Sequence, residues 1–474
     1  MRTRVTHVSL RSTLAFTLRL ALAGLIFGAT AAQAVVTVGP HGAFSTIQDG
    51  VDAAIANHGD EVRVENCVAL CMRFERVAFT TSVNVILSGG WASDFQSQIP
   101  DYTTHLIGDG EDAPIISADV VGDAIVSINR FALDGTGNSG SGSSGFNTRG
   151  LLVGATDNAS VVVADNIIFG NVVYTSTTTF PQGGAGLAVQ ASGSATIALS
   201  GNTIDTNELL GTDSAPSFGA GAFVQTTQSG HIDFVLNTIY DNITSNPNGG
   251  ACRGGGAFTD AEDTSSMQQR GNVYYGNQQF ACGNGATGDA EEINSAGNGV
   301  MAVLDETWTA NNTANDPGVY EVFMQTTGSS QILAQNGLVT HGTWGGLFAN
   351  SIDSSTVTIV NYTIADNPVL GLRGIGPGTT IWNTLVSDLP DLEGATVAFS
   401  LFGVDPLFVD SANGNYRLSP GSPAIDAGTN SPGGGMRDHD LDGNPSPVNG
   451  VTDIGAYEYQ GEVTDRIFFD SFDG

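Results

Sequence analysis

The stretches that decide the fold are DNIIFGN (165–171), GNTIDTN (201–207), LNTIYDN (236–242) and GNVYYGN (271–277). All four follow one pattern, in which an asparagine is followed by an apolar residue two positions later and by a second asparagine five positions later. The first asparagines are spaced by 36, 35 and 35 positions, and they are Asn166, Asn202, Asn237 and Asn272. A fixed period of this length is typical of proteins built from stacked repeats.

A second marker runs in step with the first. It is a glycine that leads an alternating segment, as in GLLVGAT from Gly150 and GAFVQTT from Gly221, and its spacings are again 36, 35 and 35. Alternation with a period of two predicts β-strands, and neither marker has the period of a helix. Two markers with one period therefore predict an all-β chain that winds into a right-handed parallel β-helix, a solenoid with three short strands per coil.

The repeated asparagines are expected to form a structural ladder. Asn tolerates the left-handed corner conformation and can hydrogen-bond locally, so stacked coils would place the four side chains in one column beside a continuous apolar interior. Later, weaker repeats are spaced by roughly 22–30 residues, which is about the length of a bare three-strand coil. The longer coils must therefore carry insertions, which we place at 172–184, 208–219 and 243–254 and expect to stack along one flank.

The two ends of the solenoid need caps, because open strand edges invite aggregation. Residues Phe44–Ala56 predict a capping helix, since Ile47, Val51, Ala54 and Ile55 lie on one apolar face, and Ser45 could cap its first turn. We assign residues 35–403 to the solenoid.

The N-terminus has the pattern of a secretory signal peptide over residues 1–34. Arginines lead into the apolar run Leu20–Phe27, and Ala32-Gln33-Ala34 supplies a small-x-small cleavage site. The alternative is an uncleaved anchor. No later segment is apolar enough to cross a membrane, so we expect a secreted or cell-surface protein without a transmembrane segment in the mature chain.

The composition restricts the partners. The chain of 474 residues contains no lysine and has a formal net charge of −33, or −33 − 4 = −37 once the four arginines before Leu20 are removed. So acidic a surface repels nucleic acid and anionic lipid, although the same composition also favours solubility. We expect a monomer that binds no nucleic acid.

Cysteine usage fits an oxidising compartment. Cys67 and Cys71 lie close together, and Cys252 and Cys282 are separated by a Gly-rich segment of 30 positions. We expect the disulfides Cys67–Cys71 and Cys252–Cys282, each stapling a loop.

One segment near the C-terminus has the spacing of a calcium loop. Asp438, Asp440 and Asp442 alternate before Gly443, which matches the start of an EF-hand-like loop. Asn449 stands where such a loop has its bidentate Glu, and Asp453 is the nearby substitute. Calcium is thus the one cofactor expected, in a structural role; the alternative is an acidic turn closed by hydrogen bonds.

Two regions resemble known families. GAFSTIQDGVDAAI and ILSGGWASDF near the start resemble the first coils of secreted proteins with the pectin-lyase-like β-helix fold. DPLFVDSANGNYRLSPGSPAIDAGT and RDHDLDGNPSPVNGVTDIGAYEYQ resemble the C-terminal module of the choice-of-anchor Q group of bacterial surface and secreted proteins, here residues 404–460. The resemblance implies a module that closes the solenoid. The chain departs from it at Ser446-Pro447-Val448, where such modules often have Arg after Asn-Pro.

The final segment, DRIFFDSFDG within the tail 461–474, resembles a short terminal motif of exported Gram-negative proteins, with Ser471 and Asp473 replacing its Gly and Glu. This resemblance implies a sorting or anchoring role for the tail.

No complete catalytic set is visible in the sequence. The aspartate, histidine and lysine pattern of polygalacturonases cannot be complete without lysine, and His231 and His341 are isolated. Arg253, Arg270 and Arg373 are conceivable bases, but salt bridges are their ordinary role. We therefore expect a non-enzymatic exported or cell-surface protein that binds a glycan or another surface through its stacked loops. The alternatives are an extracellular polysaccharide lyase or glycoside hydrolase, and an adhesin-like structural rod.

Overall fold

The computed structural model describes residues 34–66, 73–100, 103–108, 113–136, 149–175, 183–283, 285–308, 313–314 and 318–461. Nearly every element in these ranges is a β-strand, and strands of successive coils pair in parallel. The chain is a right-handed parallel β-helix, as the two repeat markers predict. The signal peptide assignment, Cys67 and Cys71, and residues 462–474 of the tail lie outside the described residues.

The first coils carry the capping helix. The strands of this region are β1 (Val35–Val38), β2 (Glu61–Glu65), β3 (Arg73–Phe74), β4 (Val77–Thr81), β5 (Val85–Trp91), β6 (Thr104–Ile107), β7 (Ile116–Val120), β8 (Ile125–Asn129) and β9 (Phe131–Asp134). The helix, α1, spans Ile47–Ala56. Its N-cap is Thr46, whose hydroxyl accepts a hydrogen bond from the Asp49 amide, so the expected cap at Ser45 is wrong by one residue.

Helix α1 covers the first strand edge in two ways. Its apolar face, formed by Ile47, Val51 and Ala54, is fully buried against the interior. The Gln48 side chain accepts from the Ala78 amide at 2.8 Å and donates to the Ala78 carbonyl at 3.1 Å, so it pairs with β4 as a neighbouring strand would.

The repeated coils have four or five strands each rather than three. They contain β10 (Leu151–Ala155), β11 (Ser160–Ala164), β12 (Ile167–Phe169), β13 (Val172–Thr175), β14 (Leu187–Ala191), β15 (Thr196–Ser200), β16 (Thr203–Asp205), β17 (Glu208–Gly211), β18 (Ser217–Phe218), β19 (Ala222–Thr226), β20 (His231–Val235), β21 (Thr238–Tyr240), β22 (Ile243–Ser245), β23 (Cys252–Arg253), β24 (Ala257–Ala261), β25 (Ser266–Arg270), β26 (Val273–Tyr275) and β27 (Gln278–Phe280). Within one coil, β10 is followed by β11, β12 and β13 before the chain returns to β14, which pairs with β10.

The later coils are shorter. They contain β28 (Glu291–Ser295), β29 (Val300–Leu304), β30 (Thr307–Trp308), β31 (Thr313–Ala314), β32 (Tyr320–Thr326), β33 (Gln331–Thr340), β34 (Gly345–Ser351), β35 (Thr356–Ala365), β36 (Leu370–Ile375), β37 (Thr379–Trp382), β38 (Leu385–Val386), β39 (Pro390–Glu393), β40 (Thr396–Ala398), β41 (Leu401–Phe402), β42 (Phe408–Asp410), the 3-10 helix Ser411–Asn413 and β43 (Asn415–Leu418). From β32 onward no strand of the described residues replaces β13, so the coils lack the insertion.

Three parallel sheets run along the solenoid. Sheet I is the largest and contains β11 and β12 with their equivalents in other coils; sheet II contains 11 described strands from β4 to β39, including β10, β14, β19, β24 and β28. Sheet III consists of β13, β17, β22, β27 and β31. The first three begin the predicted insertions 172–184, 208–219 and 243–254, and β27 and β31 continue the sheet in the next two coils. The insertions therefore stack along one flank as expected, and each begins with a paired strand.

The asparagines of the repeat form two ladders at the corners of sheet I. Asn166 donates from Nδ2 to Asn202 Oδ1 at 3.1 Å, and this contact repeats down the column through Asn237 to Asn272, at 3.0 Å in both cases. The second asparagines form a parallel ladder of the same kind, which comprises Asn171, Asn207, Asn242 and Asn277.

The left-handed corner conformation falls on the residue before each ladder asparagine, not on the asparagine. Asp165 and Leu236 have φ values of 56° and 58°, and glycines take this position in the coils between and after them. The asparagine itself is thus free to bond with its neighbours above and below, and these hydrogen bonds satisfy its buried amide group.

The C-terminal module lies along the flank of the last coils. Tyr416 and Ala456 pack on Leu338 of sheet I, and the Ala456 amide donates to Thr363 Oγ1 at 2.9 Å. The same outward column is open to solvent several coils earlier, where Ile167 is 39% exposed. The C-terminal segment therefore covers the last part of this outward column.

None of the helices in the described ranges combines the length and apolar content that a membrane span requires.

Candidate functional site

The outward face of sheet II carries two aligned columns of side chains. Because successive residues of a strand point to opposite faces, the second and fourth residues of each five-residue strand point away from the interior. One column is mainly aromatic and contains Phe223, Phe258, Glu292, Phe323, Phe348 and Arg373. The other is polar and contains Gln190, Gln225, Asp260, Asn294, Gln325 and Asn350.

The polar column is connected by hydrogen bonds. Gln190 Nε2 donates to Gln225 Oε1 at 2.9 Å, and Gln225 Nε2 donates to Asp260 Oδ2 at 3.1 Å. Each amide thus keeps its remaining donors and acceptors for another partner. The column is half-buried except at Asp260, which is 7% exposed.

Three carboxyl groups converge at Asp260. Burial first, and then the neighbouring carboxyl groups of Glu262 and Glu292, raise the pKa of Asp260 to about 7. Asp260 also shares a hydrogen bond with Glu262. A carboxyl group that keeps its proton near neutral pH can donate a proton or a hydrogen bond, which an ordinary aspartate cannot do.

Arg253 partly balances this cluster. Its Nη1 lies 3.2 Å from Oε1 of Glu292, a fully buried carboxylate that also accepts from Asn294 Nδ2 at 2.6 Å and from the Thr287 hydroxyl. The disulfide between Cys252 and Cys282 is present as predicted, with Cα atoms 5.5 Å apart, and it fixes the strand that carries Arg253.

Aromatic rings flank the carboxyl cluster on both sides. Phe223 and Phe258 stack at 5.6 Å, and Phe218 from the inserted strand β18 packs edge-on against Phe258 at 4.7 Å. On the other side Phe323 and Phe348 stack at 4.6 Å. The Arg373 guanidinium lies 5.5 Å from the Phe348 ring centre and pairs with Asp391 at 3.2 Å.

The arrangement suits recognition of a polar, elongated molecule. Amides and carboxyl groups at strand spacing offer alternating donors and acceptors. Phe223, Phe258 and Phe348 of the aromatic column are buried, so they support this face, and Phe323 is partly exposed beside it. The raised pKa of Asp260, next to a second carboxyl group, is also the property that general acid catalysis requires.

The four aspartates of the expected calcium loop do not share a site. Asp440 accepts from the amides of Asp442 and Asn444 at 3.0 and 2.8 Å, and Asp442 binds Arg417 at 2.5 Å. Asp453 instead accepts from two backbone amides of other segments.

Asp438 of the same segment is fully exposed and bonded to its neighbour His439 at 2.7 Å. Among the described residues, which include all four aspartates, no three acidic, histidine or cysteine side chains group so as to hold a metal ion. The alternative of an acidic turn closed by hydrogen bonds is the one that matches this geometry.

The isolated histidines and arginines have structural partners. His231 bonds Ser266 at 2.7 Å, and His341 is exposed beside Tyr416. Arg270 lies 3.6 Å from Asp305, and only Arg253 joins a cluster of carboxyl groups.

The sequence reading missed Glu292 and the two outward columns. Their signal is present in the repeat itself: Gln190, Gln225 and Asp260 are spaced by 35 and 35 positions, and Asn294 follows 34 later. Only the strand pairing shows which of two adjacent residues faces outward.

Fold and site together define the class: a right-handed parallel β-helix with a polar and aromatic stripe along one outward face. No protein-family model matches the chain, and no curated protein matches its sequence.

Proposed function

We propose that this chain is an exported β-helix protein that binds an extracellular, uncharged glycan along the outward face of sheet II. The observation that carries the proposal is the hydrogen-bonded column from Gln190 through Gln225 to Asp260, beside stacked aromatic rings. Amide and carboxyl groups at regular spacing match the hydroxyl groups of a sugar polymer, each of which both donates and accepts. The net charge of −33 disfavours a polyanionic glycan.

A glycan array probed with the purified protein tests this proposal. We expect binding to neutral polysaccharides, and a loss of about tenfold in affinity when Gln225→Ala removes one hydrogen-bonding rung, which corresponds to about 1.4 kcal/mol. Thr238→Ala, on an outward position of sheet I, is the matched control and keeps full binding. Equal affinities of the two variants, or no neutral ligand at all, would contradict the proposal and favour the structural rod.

A second candidate function, glycoside hydrolysis, is favoured by the raised pKa of Asp260, which suits it as the acid that protonates a leaving oxygen. Glu262 shares a hydrogen bond with Asp260, so it lies closer than the roughly 5 Å or more that separates the acid from the nucleophile or base in glycosidases, and its part is to raise the pKa of Asp260. Reducing-sugar release from neutral polysaccharides should then fall at least a hundredfold in Asp260→Asn. Formation of unsaturated uronides that depends on calcium would point instead to a lyase.

The C-terminal module supports a cell-surface location by its resemblance to choice-of-anchor Q proteins. We propose that residues 461–474 retain the protein at the surface. Deleting these residues should release the protein into the medium, as measured by cell fractionation. Unchanged fractionation would contradict the anchoring role without affecting the glycan proposal.

A further inference from the structure

The apolar interior of the solenoid becomes polar at one level, in the coil that contains β24 and β25. Thr259 points inward from β24, in a column that holds valine in the three coils before it and isoleucine in the next one. Gln269 points inward from β25, in a column whose other members are apolar in the paired strands. Both side chains are fully buried. Two polar residues thus replace apolar ones on facing sheets of a single coil.

These two side chains are in direct contact across the interior. Gln269 Nε2 donates to Thr259 Oγ1 at 2.9 Å, and the Thr259 hydroxyl donates to Glu291 Oε1 at 3.1 Å. The carbon of the Gln269 carboxamide is bonded to Nε2, so it lies at most about 4.2 Å from Oγ1. Rotation of the carboxamide about its terminal bond, which is a soft torsion in glutamine, turns the face of this carbon towards the hydroxyl oxygen.

Two further groups complete the arrangement that acyl transfer requires. Glu291 contacts both partners, because its carboxyl group accepts from the Thr259 hydroxyl and from the Gln269 amide. Tyr274 is fully buried, and its hydroxyl lies within reach of the Glu291 carboxyl group and 3.4 Å from Gln269 Oε1. The hydroxyl of Thr259 therefore has a base beside it, and the carbonyl oxygen that it would attack has a donor. Burial raises the pKa of Glu291 to about 7, so near neutral pH this group can take up a proton and give it back.

We propose that Thr259 and Gln269 condense into an intramolecular ester and release ammonia. Glu291 takes the proton of the Thr259 hydroxyl while Oγ1 forms a bond to the carboxamide carbon of Gln269, and the Tyr274 hydroxyl stabilises the negative charge that develops on Oε1. The bond from this carbon to Nε2 then breaks, and the proton held by Glu291 passes to the nitrogen, which leaves as ammonia. The reaction consumes no other reactant, and Glu291 returns to its starting state.

The surroundings favour the product. The apolar interior excludes the water that would hydrolyse the ester, and ammonia that escapes is protonated in solution and does not return. The ester joins sheet II to sheet I through the interior of one coil. Because Thr259 directly precedes Asp260 in β24, the cross-link also holds the strand that carries the carboxyl cluster of the outward face. The inference does not depend on the glycan proposal.

Mass spectrometry of the purified full chain tests the ester. Cleavage after arginine releases residues 254–270 as one peptide, since Arg253 and Arg270 bound it and the chain has no lysine. After incubation at about pH 8, where Glu291 is ionised, this peptide should be lighter than its sequence mass by about 17 Da, the mass of the ammonia lost. Its fragmentation should give no backbone ions between Thr259 and Gln269, because the ester closes a ring there. Mild alkali should add about 18 Da by hydrolysis of the ester.

Three variants identify the groups that react. Thr259→Val removes the hydroxyl and Glu291→Gln removes the base, so in both variants the peptide should keep its full sequence mass. Thr226→Val is the matched control, because Thr226 is fully buried one coil earlier, and the loss of about 17 Da should remain in it. A wild-type peptide at its full sequence mass would overturn the proposal, whether or not the variants fold. A mass loss that persists in Thr259→Val would overturn it as well, because the ammonia would then come from another reaction.

Discussion

Glu291 makes the stability of this solenoid dependent on pH. Its side chain points into the apolar interior, in the column that contains Leu187, Ala222, Ala257 and Val322 in neighbouring coils. One carboxyl oxygen accepts from Trp308 Nε1 at 3.0 Å and the other from the Thr259 hydroxyl at 3.1 Å. No basic side chain balances it in the ion pairs of the described residues.

A second acid, Glu306, faces the same interior. Glu306 continues the asparagine ladder, because Asn272 Nδ2 donates to its Oε1 at 3.0 Å, and it is fully buried. Burial, and then the charge of Glu291, raise the pKa of Glu306 well above its ordinary value. The other titratable groups that face the pair are Tyr274, Tyr362 and Asp305.

Proton linkage gives the size and sign of the change in the free energy of unfolding with pH. Burial raises the pKa of Glu291 from 4.5 to about 7. Below pH 4.5 the carboxyl group is protonated in both the folded and the unfolded chain. Between pH 4.5 and 7 only the unfolded chain loses the proton, so the free energy of unfolding falls as the pH rises. The fall is about 1.4 kcal/mol per pH unit, or about 3 kcal/mol in total. Above pH 7 this contribution stays constant.

The change that tests this is Glu291→Gln, which keeps a hydrogen-bonding head group but cannot ionise. We expect the Tm of the wild type to fall between pH 5 and 7 relative to the variant, by about 5 °C. Glu393→Gln, at an exposed position of β39, is the matched control and should follow the wild type. Thermal unfolding of the wild type and the two variants, followed by circular dichroism at half-unit pH steps, measures the Tm of each protein as a function of pH. Parallel pH profiles for the wild type and Glu291→Gln would refute the reasoning.

Three other predictions concern stability, each measured by urea unfolding. Asn202→Ala interrupts the first ladder and leaves its buried neighbours without partners, so the free energy of unfolding should fall by about 3 kcal/mol. Asn158→Ala, on the surface, should lower it by less than about 0.5 kcal/mol, and similar losses for the two variants would argue against the ladder. Thr206→Gly should stabilise by about 1 kcal/mol, because Thr206 has a φ of 52° where glycines stand in other coils; a loss of stability would show that its side chain matters more than its backbone. Replacing Cys252 and Cys282 together by Ser should cost about 3–4 kcal/mol, since their disulfide closes a separation of 30 residues; no change under oxidising conditions would contradict this.

The fold was predictable because its determinants repeat at a fixed spacing. Asn166, Asn202, Asn237 and Asn272 give the period, and equal spacing places equivalent residues one coil apart. The strands of sheet III were expected only as insertions, because a four-residue segment such as Val172–Thr175 has little alternation of its own and is held by pairing with β17. Whether this segment forms a strand therefore depends on pairing with the neighbouring coil, which the sequence of a single coil does not show.

The candidate site was harder to predict for a geometric reason. In the sequence Glu291-Glu292, one carboxyl group points into the interior and the other points outward beside Arg253. A shift of one residue in strand register would exchange their environments. The repeat spacing shortens from 35 to 34 at this coil, so spacing alone cannot assign the faces.

Three separate compartments become polar within the same few coils. The interior gains Glu291, the corner before sheet II gains the buried Asp289, and the outward face gains Asp260 and Glu292. The strands from β10 to β19 fill the equivalent positions with apolar, glycine or amide residues. In a solenoid each coil contacts only its neighbours, so these costs stay local and the apolar coils on either side must hold the segment in place. Local departures from an otherwise consistent pattern tend to mark functional segments. The coils from residue 256 to 321 are therefore where ligand and proton binding would have the largest effect on structure, and where amide hydrogen exchange should slow most when a ligand binds.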